Sequence, residues 1–287
     1  MDYSSLWDAR IFLDLFLGGL GVGLFLFLAF AAWGKNNKSF LTLKVGAIAS
    51  FALVALGALC LVSELGRPFN IASTVIGFNA TSITSWGGVL QMAFLLMDAI
   101  ICIMLFTLKE SASRSIAFKV VGVLGIGLAS LVLVYHGLVL NSVGRGLWAN
   151  ALITPLFMAS SILAGGALAI ALDKFAKGDL SAQCAKFIAG ASLCVATLIL
   201  AFGFTVAPAG ADASFCYSAM MEQSGAIWWL CAFAIGSLAP LALSIVALAK
   251  PATWNLPLIS TIAACALVGS FALKFIIASA AQIVIGS

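Results

Sequence analysis

Eight apolar runs, each long enough to cross about 30 Å of hydrocarbon as a helix, limit what this chain can fold into. They lie at approximately 11–33, 40–62, 86–108, 116–140, 151–172, 185–206, 226–249 and 256–283. With 63% hydrophobic and 8% charged residues, and a mean hydropathy of +1.19, there are too few charges to clothe a water-soluble surface. Backbone groups in lipid must bond within the protein, and unbroken runs of this length suit helices better than the shorter, alternating strands of a barrel. The sequence therefore predicts an all-α integral membrane protein with eight transmembrane helices. Residues 1–10 lack a basic start and an obvious cleavage site, so the first span is expected to stay.

The positive charges give an orientation. Lys35, Lys38, Lys44, Lys109, Arg114, Lys119, Lys174, Lys177, Lys186 and Lys250 fall at one set of alternate span ends, whereas Arg10, Arg67 and Arg145 mark the other. Cytoplasmic loops carry the excess of lysine and arginine, so both termini are expected outside, in a periplasm or its equivalent. The net charge of +4 reflects that asymmetry and does not point to nucleic acid. Tryptophans favour the headgroup boundary, and Trp7, Trp86, Trp148, Trp228 and Trp229 sit at expected outer ends, Trp33 and Trp254 at inner ones. The connections at 63–85 and 207–225 read as long outer loops on which a soluble partner would dock.

Four spans per half permit two four-helix bundles, 1–140 and 141–287, in parallel orientation. Leu15-Phe16-Leu17-Gly18-Gly19 resembles Leu156-Phe157-Met158-Ala159-Ser160. Gly19 with Gly23, and Ser161 with Gly165, read as small residues at a close helix crossing. The seven cysteines are scattered without metal-ligand spacing and read as apolar packing residues.

Polar residues at membrane depth usually face a cavity, a ligand or each other. Asp14 lies about one turn into the first span, and Tyr135 and His136 a little over one turn from the outer end of the fourth, at ~1.5 Å per residue. Their depths match. Glu64 and Arg67 end the second span three residues apart, and Pro68 stops that helix. Structural readings stand beside the functional ones: a capped helix end for Glu64 and Arg67, an interfacial pair of Asp14 with Arg10, a boundary residue for Tyr135. His136 is the sole histidine, which excludes a bis-histidine haem and a three-histidine metal site and leaves a packing residue or a proton relay. Asp98 and Lys274, near the middle of the third and eighth spans, are expected to need partners and could pair with each other.

Three segments carry a family resemblance. They are Gly18-Gly19-Leu20-Gly21-Val22-Gly23; Glu64-Leu65-Gly66-Arg67-Pro68 with Ser82-Ile83-Thr84-Ser85-Trp86-Gly87; and Tyr135-His136-Gly137 leading to Leu147-Trp148-Ala149-Asn150 and Pro155-Leu156-Phe157. Together they resemble the NrfD/PsrC family, membrane subunits of polysulfide-reductase-type complexes. The likeness is strong over the first 170 residues and rests mainly on span pattern thereafter. It implies a haem-free anchor, without a metal of its own, in the cytoplasmic membrane. Such an anchor binds menaquinone near the outer face beside a ferredoxin-like iron–sulfur subunit, which connects to a molybdopterin catalytic subunit. In the family a tyrosine at the outer end of the fourth span contacts the quinone, and Tyr135 matches it. The family's asparagine and histidine in the first span are replaced here by Arg10 and Asp14.

The residue types suit that task independently. A quinone ring needs an apolar slot, its carbonyl oxygens need donors such as Tyr135 or His136, and quinol oxidation needs a proton acceptor such as Asp14 or Glu64. The expected pocket lies between spans one, two and four, with Tyr135, Arg10, Asp14 and Arg67 as its quinone-binding residues. A secondary transporter using Asp98 and Lys274, or a purely structural anchor, are the other readings.

Overall fold

The computed structural model describes residues 9–33, 40–64, 79–108, 115–144, 146–178, 180 and 184–280. Among them are eight helices long and apolar enough to cross a membrane. These are α1 (Ala9–Trp33), α2 (Phe40–Glu64), α3 (Ile83–Thr107), α4 (Ile116–Ser142), α5 (Ile153–Phe175), α6 (Cys184–Val206), α7 (Ala211–Ala249) and α8 (Leu256–Ala280). Arg67, Pro68, Arg145 and the side chain of Glu64 lie outside the described residues.

The two central helices come from different halves of the sequence. In α1 and α5 the small residues at a spacing of four let backbones touch: a methyl on Gly23 would strike the Ser161 carbonyl, and one on Gly165 would strike the backbone of Gly23 and Leu24. One apolar cluster gathers Val22, Leu24, Phe25 and Leu28 of α1 with residues of α2, α3 and α4. The other takes Phe12 and Leu15 of α1 together with α5, α6, α7 and α8. Thus α1 contributes its second half to one core and its first turns to the other. Phe12 and Phe16 meet Phe275 and Phe271 of α8 edge to face, with ring centroids 5.8 and 5.3 Å apart.

The segments that carry the family resemblance have local physical reasons. Ser82 caps α3, its hydroxyl accepting from the Ser85 amide at 3.4 Å, and the Trp86 indole donates to the Ala80 carbonyl at 3.0 Å. Gly137 has no room for a side chain, because Thr154 of α5 lies against it. Trp148 is no boundary residue: it is fully buried in a short 3-10 turn (Gly146–Ala149), and its indole N–H donates to the Ile277 carbonyl at 3.0 Å. Trp228 is buried too, whereas Trp86 and Trp229 are exposed. Asn150 stops the turn, accepting from the Leu152 amide at 2.9 Å and donating to Thr205 of α6 at 2.8 Å.

Helix α7 departs from the expected span, beginning at Ala211 instead of near 226. Residues 211–225 are too polar on average to register as a span, yet Ala213, Cys216 and Met220 repeat at three and four, and that face packs beside Trp148. Between Trp228 and Leu238 the helix widens to π geometry. Pro240 follows at once; its ring lacks an N–H and crowds the carbonyl one turn back, and the wider turns relieve that clash. Below Ile227 and Cys231, Gly236 meets Gly269 of α8 backbone to backbone. From that crossing the two helices leave a cleft of about 640 Å³, lined by Phe16, Leu20, Ile227, Cys231, Phe271 and Ile276.

At the end of α5 the buried carboxylate of Asp173 accepts from Thr42 of α2 at 2.7 Å and from the Leu180 amide at 2.9 Å. The chain turns there through Lys177 at φ 56. Trp254, just before α8, donates to the Leu180 carbonyl at 3.3 Å.

Candidate functional site: a buried polar cluster on four helices

Near the start of α1, four polar side chains come together from α1, α3 and α4, with α2 behind them. Asp14, Gln91, Tyr135 and His136 are 2, 3, 6 and 1% exposed, so none of them faces lipid. Glycines make the approach possible. A methyl on Gly18, one turn along α1 from Asp14, would stand 3.1 Å from His136 Cε1 and 3.6 Å from Asp14 Oδ1. Another on Gly57 of α2 would lie 2.9 Å from the same carboxylate oxygen. Gly87 of α3 is the seat of the Tyr135 ring, and any side chain there would overlap it.

Asp14 and His136 therefore share a site with Tyr135, as matching depth suggested. Tyr135 and His136 are neighbours in the chain with ring centroids 5.8 Å apart. The Gln91 amide donates to Asp14 Oδ1 at 2.9 Å. Both imidazole nitrogens of His136 are buried without a hydrogen-bond partner among the described residues. A buried, unpaired polar group is costly, so this ring is suited to receive a donor or acceptor from a bound molecule or water. The Arg10 guanidinium is exposed and donates to the Ser63 carbonyl at 2.9 Å, tying the start of α1 to the end of α2 beside Glu64.

Gln91 is the member that residue-by-residue reading missed. The expected pocket used spans one, two and four, whereas α3 supplies both Gln91 and the Gly87 seat. The signal was available: Gly87, Gln91 and Asp98 are all buried and lie four and seven residues apart, on one helical face.

Asp98 and Lys274 do not act as the midplane pair entertained above. Asp98 Oδ2 accepts from Ser50 of α2 at 2.7 Å, and its Oδ1 has no partner among the described residues. Lys274 donates to the Leu15 carbonyl at 3.0 Å and to the Ser161 hydroxyl at 2.7 Å. The apolar cleft between α7 and α8 is a separate feature. Phe16 and Leu20 line it, and at 100° per residue they lie on the face of α1 opposite Asp14 and Gly18.

The helices and their buried cluster define a multi-pass membrane protein with a polar centre shared by several spans. The family model described as polysulphide reductase, NrfD, matches residues 1–286, and the chain belongs to that family. Its members are membrane subunits of polysulfide-reductase-type oxidoreductase complexes and associate with iron–sulfur and catalytic subunits. The match extends through the second half, where the sequence showed little beyond span pattern. No curated protein matches the chain.

Proposed function

We propose that this chain is the menaquinol-oxidising subunit of a respiratory complex in the cytoplasmic membrane, with the Asp14, Gln91, Tyr135 and His136 cluster as its quinone site. Family membership supports the class, and the observation that carries the site is His136: fully buried, without a partner at either nitrogen among the described residues, and beside a carboxylate.

Menaquinol, when bound, supplies two electrons and two protons. The chain's residues fit both redox forms: the Tyr135 hydroxyl and the His136 ring are donors for the carbonyl oxygens of the quinone, and Asp14, oriented by Gln91, is an acceptor for a proton of the quinol hydroxyls. Glu64 is a second candidate acceptor, and Arg10 and Arg67 are candidate contacts to the quinone. Electrons pass to a ferredoxin-like iron–sulfur subunit docked on the outer face, and from there to a molybdopterin subunit. Both termini face that side, and protons leave on it, following the lysine and arginine asymmetry.

The transporter reading drew on possible repeats and on midplane Asp98 and Lys274, and these two residues bond different helices. Mass spectrometry of the gently solubilised complex is the test. Co-purifying iron–sulfur and molybdenum subunits with retained menaquinone is the expected result. A lone chain that moves a solute in liposomes and retains no quinone would overturn the proposal.

A further inference from the structure

Lys274 is 1% exposed, and the two acceptors it touches, the Leu15 carbonyl and the Ser161 hydroxyl, carry no charge. The face of the Phe157 ring, 5.9 Å from Nζ, completes its surroundings. A buried ammonium with only neutral contacts is unfavourable unless a counter-charge lies close. Asp14 presents the mirror of this situation: it is buried, and its donor among the described residues, the Gln91 amide, is neutral. The two residues occupy adjoining places along α1, since Lys274 bonds the carbonyl of Leu15, the residue after Asp14. The ammonium also fills the space over Gly19, where a methyl would stand 2.5 Å from Nζ, while the Asp14 carboxylate and His136 lie over Gly18.

We infer that Lys274 of α8 supplies a positive charge to the surroundings of Asp14, making the eighth span part of the α1–α4 polar site. Lys274 is a positioning residue acting through Asp14, without contact to the reacting molecule. The proposal gives the buried lysine a role in the quinone site, on which its functional meaning rests, while the charge coupling itself exists with or without a quinone.

The surroundings leave few other groups to consider. Around Lys274, α5 contributes Ser161 and Phe157, neither of which titrates in this range. On α7, Cys231 lines the apolar cleft with Val268 and Phe271. Asp14 of α1 and His136 of α4 are the titratable side chains over Gly18, next to the Gly19 position that Lys274 covers. Gly19 and Ser161 now have a second reason for being small. They frame the lysine as well as permitting the helix crossing.

The experiment is an infrared pH titration of the purified complex, following the carbonyl stretch of the protonated Asp14 carboxyl, assigned by its loss in Asp14→Asn. In Lys274→Met this band is expected to emerge at a pH higher by roughly one unit than in the natural protein, because an opposite charge nearby favours the ionised carboxyl. Lys274→Arg, which keeps the charge, is expected to leave the band's pH within a few tenths of a unit of its natural position. Lys274→Gln, polar and of similar length, stands in if the methionine variant fails to assemble. An unshifted band in the neutral variants, or an equal shift with arginine, overturns the inference. Because the band is read without quinol turnover, a chain that binds no quinone could still show the shift, and a quinone-active chain could lack it.

Discussion

The Gln91 amide on the third span reaches across to the first and donates to Asp14 Oδ1 at 2.9 Å. It gives a buried carboxylate a fixed orientation and adds a polar side chain from α3 to those of α1 and α4. A hydrogen bond to a charged group contributes about 1.5–3 kcal/mol, and losing it in a buried setting leaves the acceptor unsatisfied. Gln91→Leu is expected to lower the thermal midpoint of the solubilised complex and cut quinol-linked turnover at least tenfold, with dye-linked activity of the soluble subunits retained. A neutral outcome in both assays would show that this contact does not orient Asp14.

Tyr135→Phe removes one hydroxyl and leaves the ring on its Gly87 seat. Quinol-linked turnover should fall by about two to three orders of magnitude, the scale of a lost positioned donor, with subunit stoichiometry unchanged on a gel. Unimpaired quinol turnover would take the tyrosine out of the mechanism.

Gly87→Ala tests the seat rather than the hydroxyl. The added methyl overlaps the Tyr135 ring, so the ring must shift, and overpacking of this kind costs about 1–3 kcal/mol. Turnover should fall as in Tyr135→Phe, and the double variant should be no worse than the more damaged single one, because both act on one side chain. Strictly multiplicative losses would separate the two positions.

Asp98 and Lys274 bind different partners, so their substitutions should combine independently. The stability changes of Asp98→Asn and Lys274→Met, measured by thermal unfolding in detergent, are expected to add to within about 0.5 kcal/mol. A coupling above about 1 kcal/mol would mean that the charges interact directly.

The legible part of the fold came from apolar run length, which located all eight spans because lipid forces each crossing to be a continuous helix. The same reasoning missed the start of α7, since 211–225 buries only one face and its polar residues dilute the hydropathy. Depth along a span grouped Asp14, Tyr135 and His136 correctly. It could not say which spans are neighbours, and so it entertained an Asp98 and Lys274 pair although one carboxylate bonds α2 and the ammonium bonds α1 and α5. Gln91 escaped notice as an uncharged side chain among charged ones. Trp148 was read as a boundary residue by its position, and only the folded chain brings the Ile277 carbonyl to its indole.

Asp173 carries a mechanical consequence. By holding Thr42, the Leu180 amide and, through Leu180, Trp254, it knots the ends of α2, α5 and α8 that lie farthest from Asp14. Those ends are clamped together and serve as a common pivot. Any splaying of the helices to admit a bulky ring must then grow toward the opposite rim, so that the bundle opens like tongs gripped at the handle.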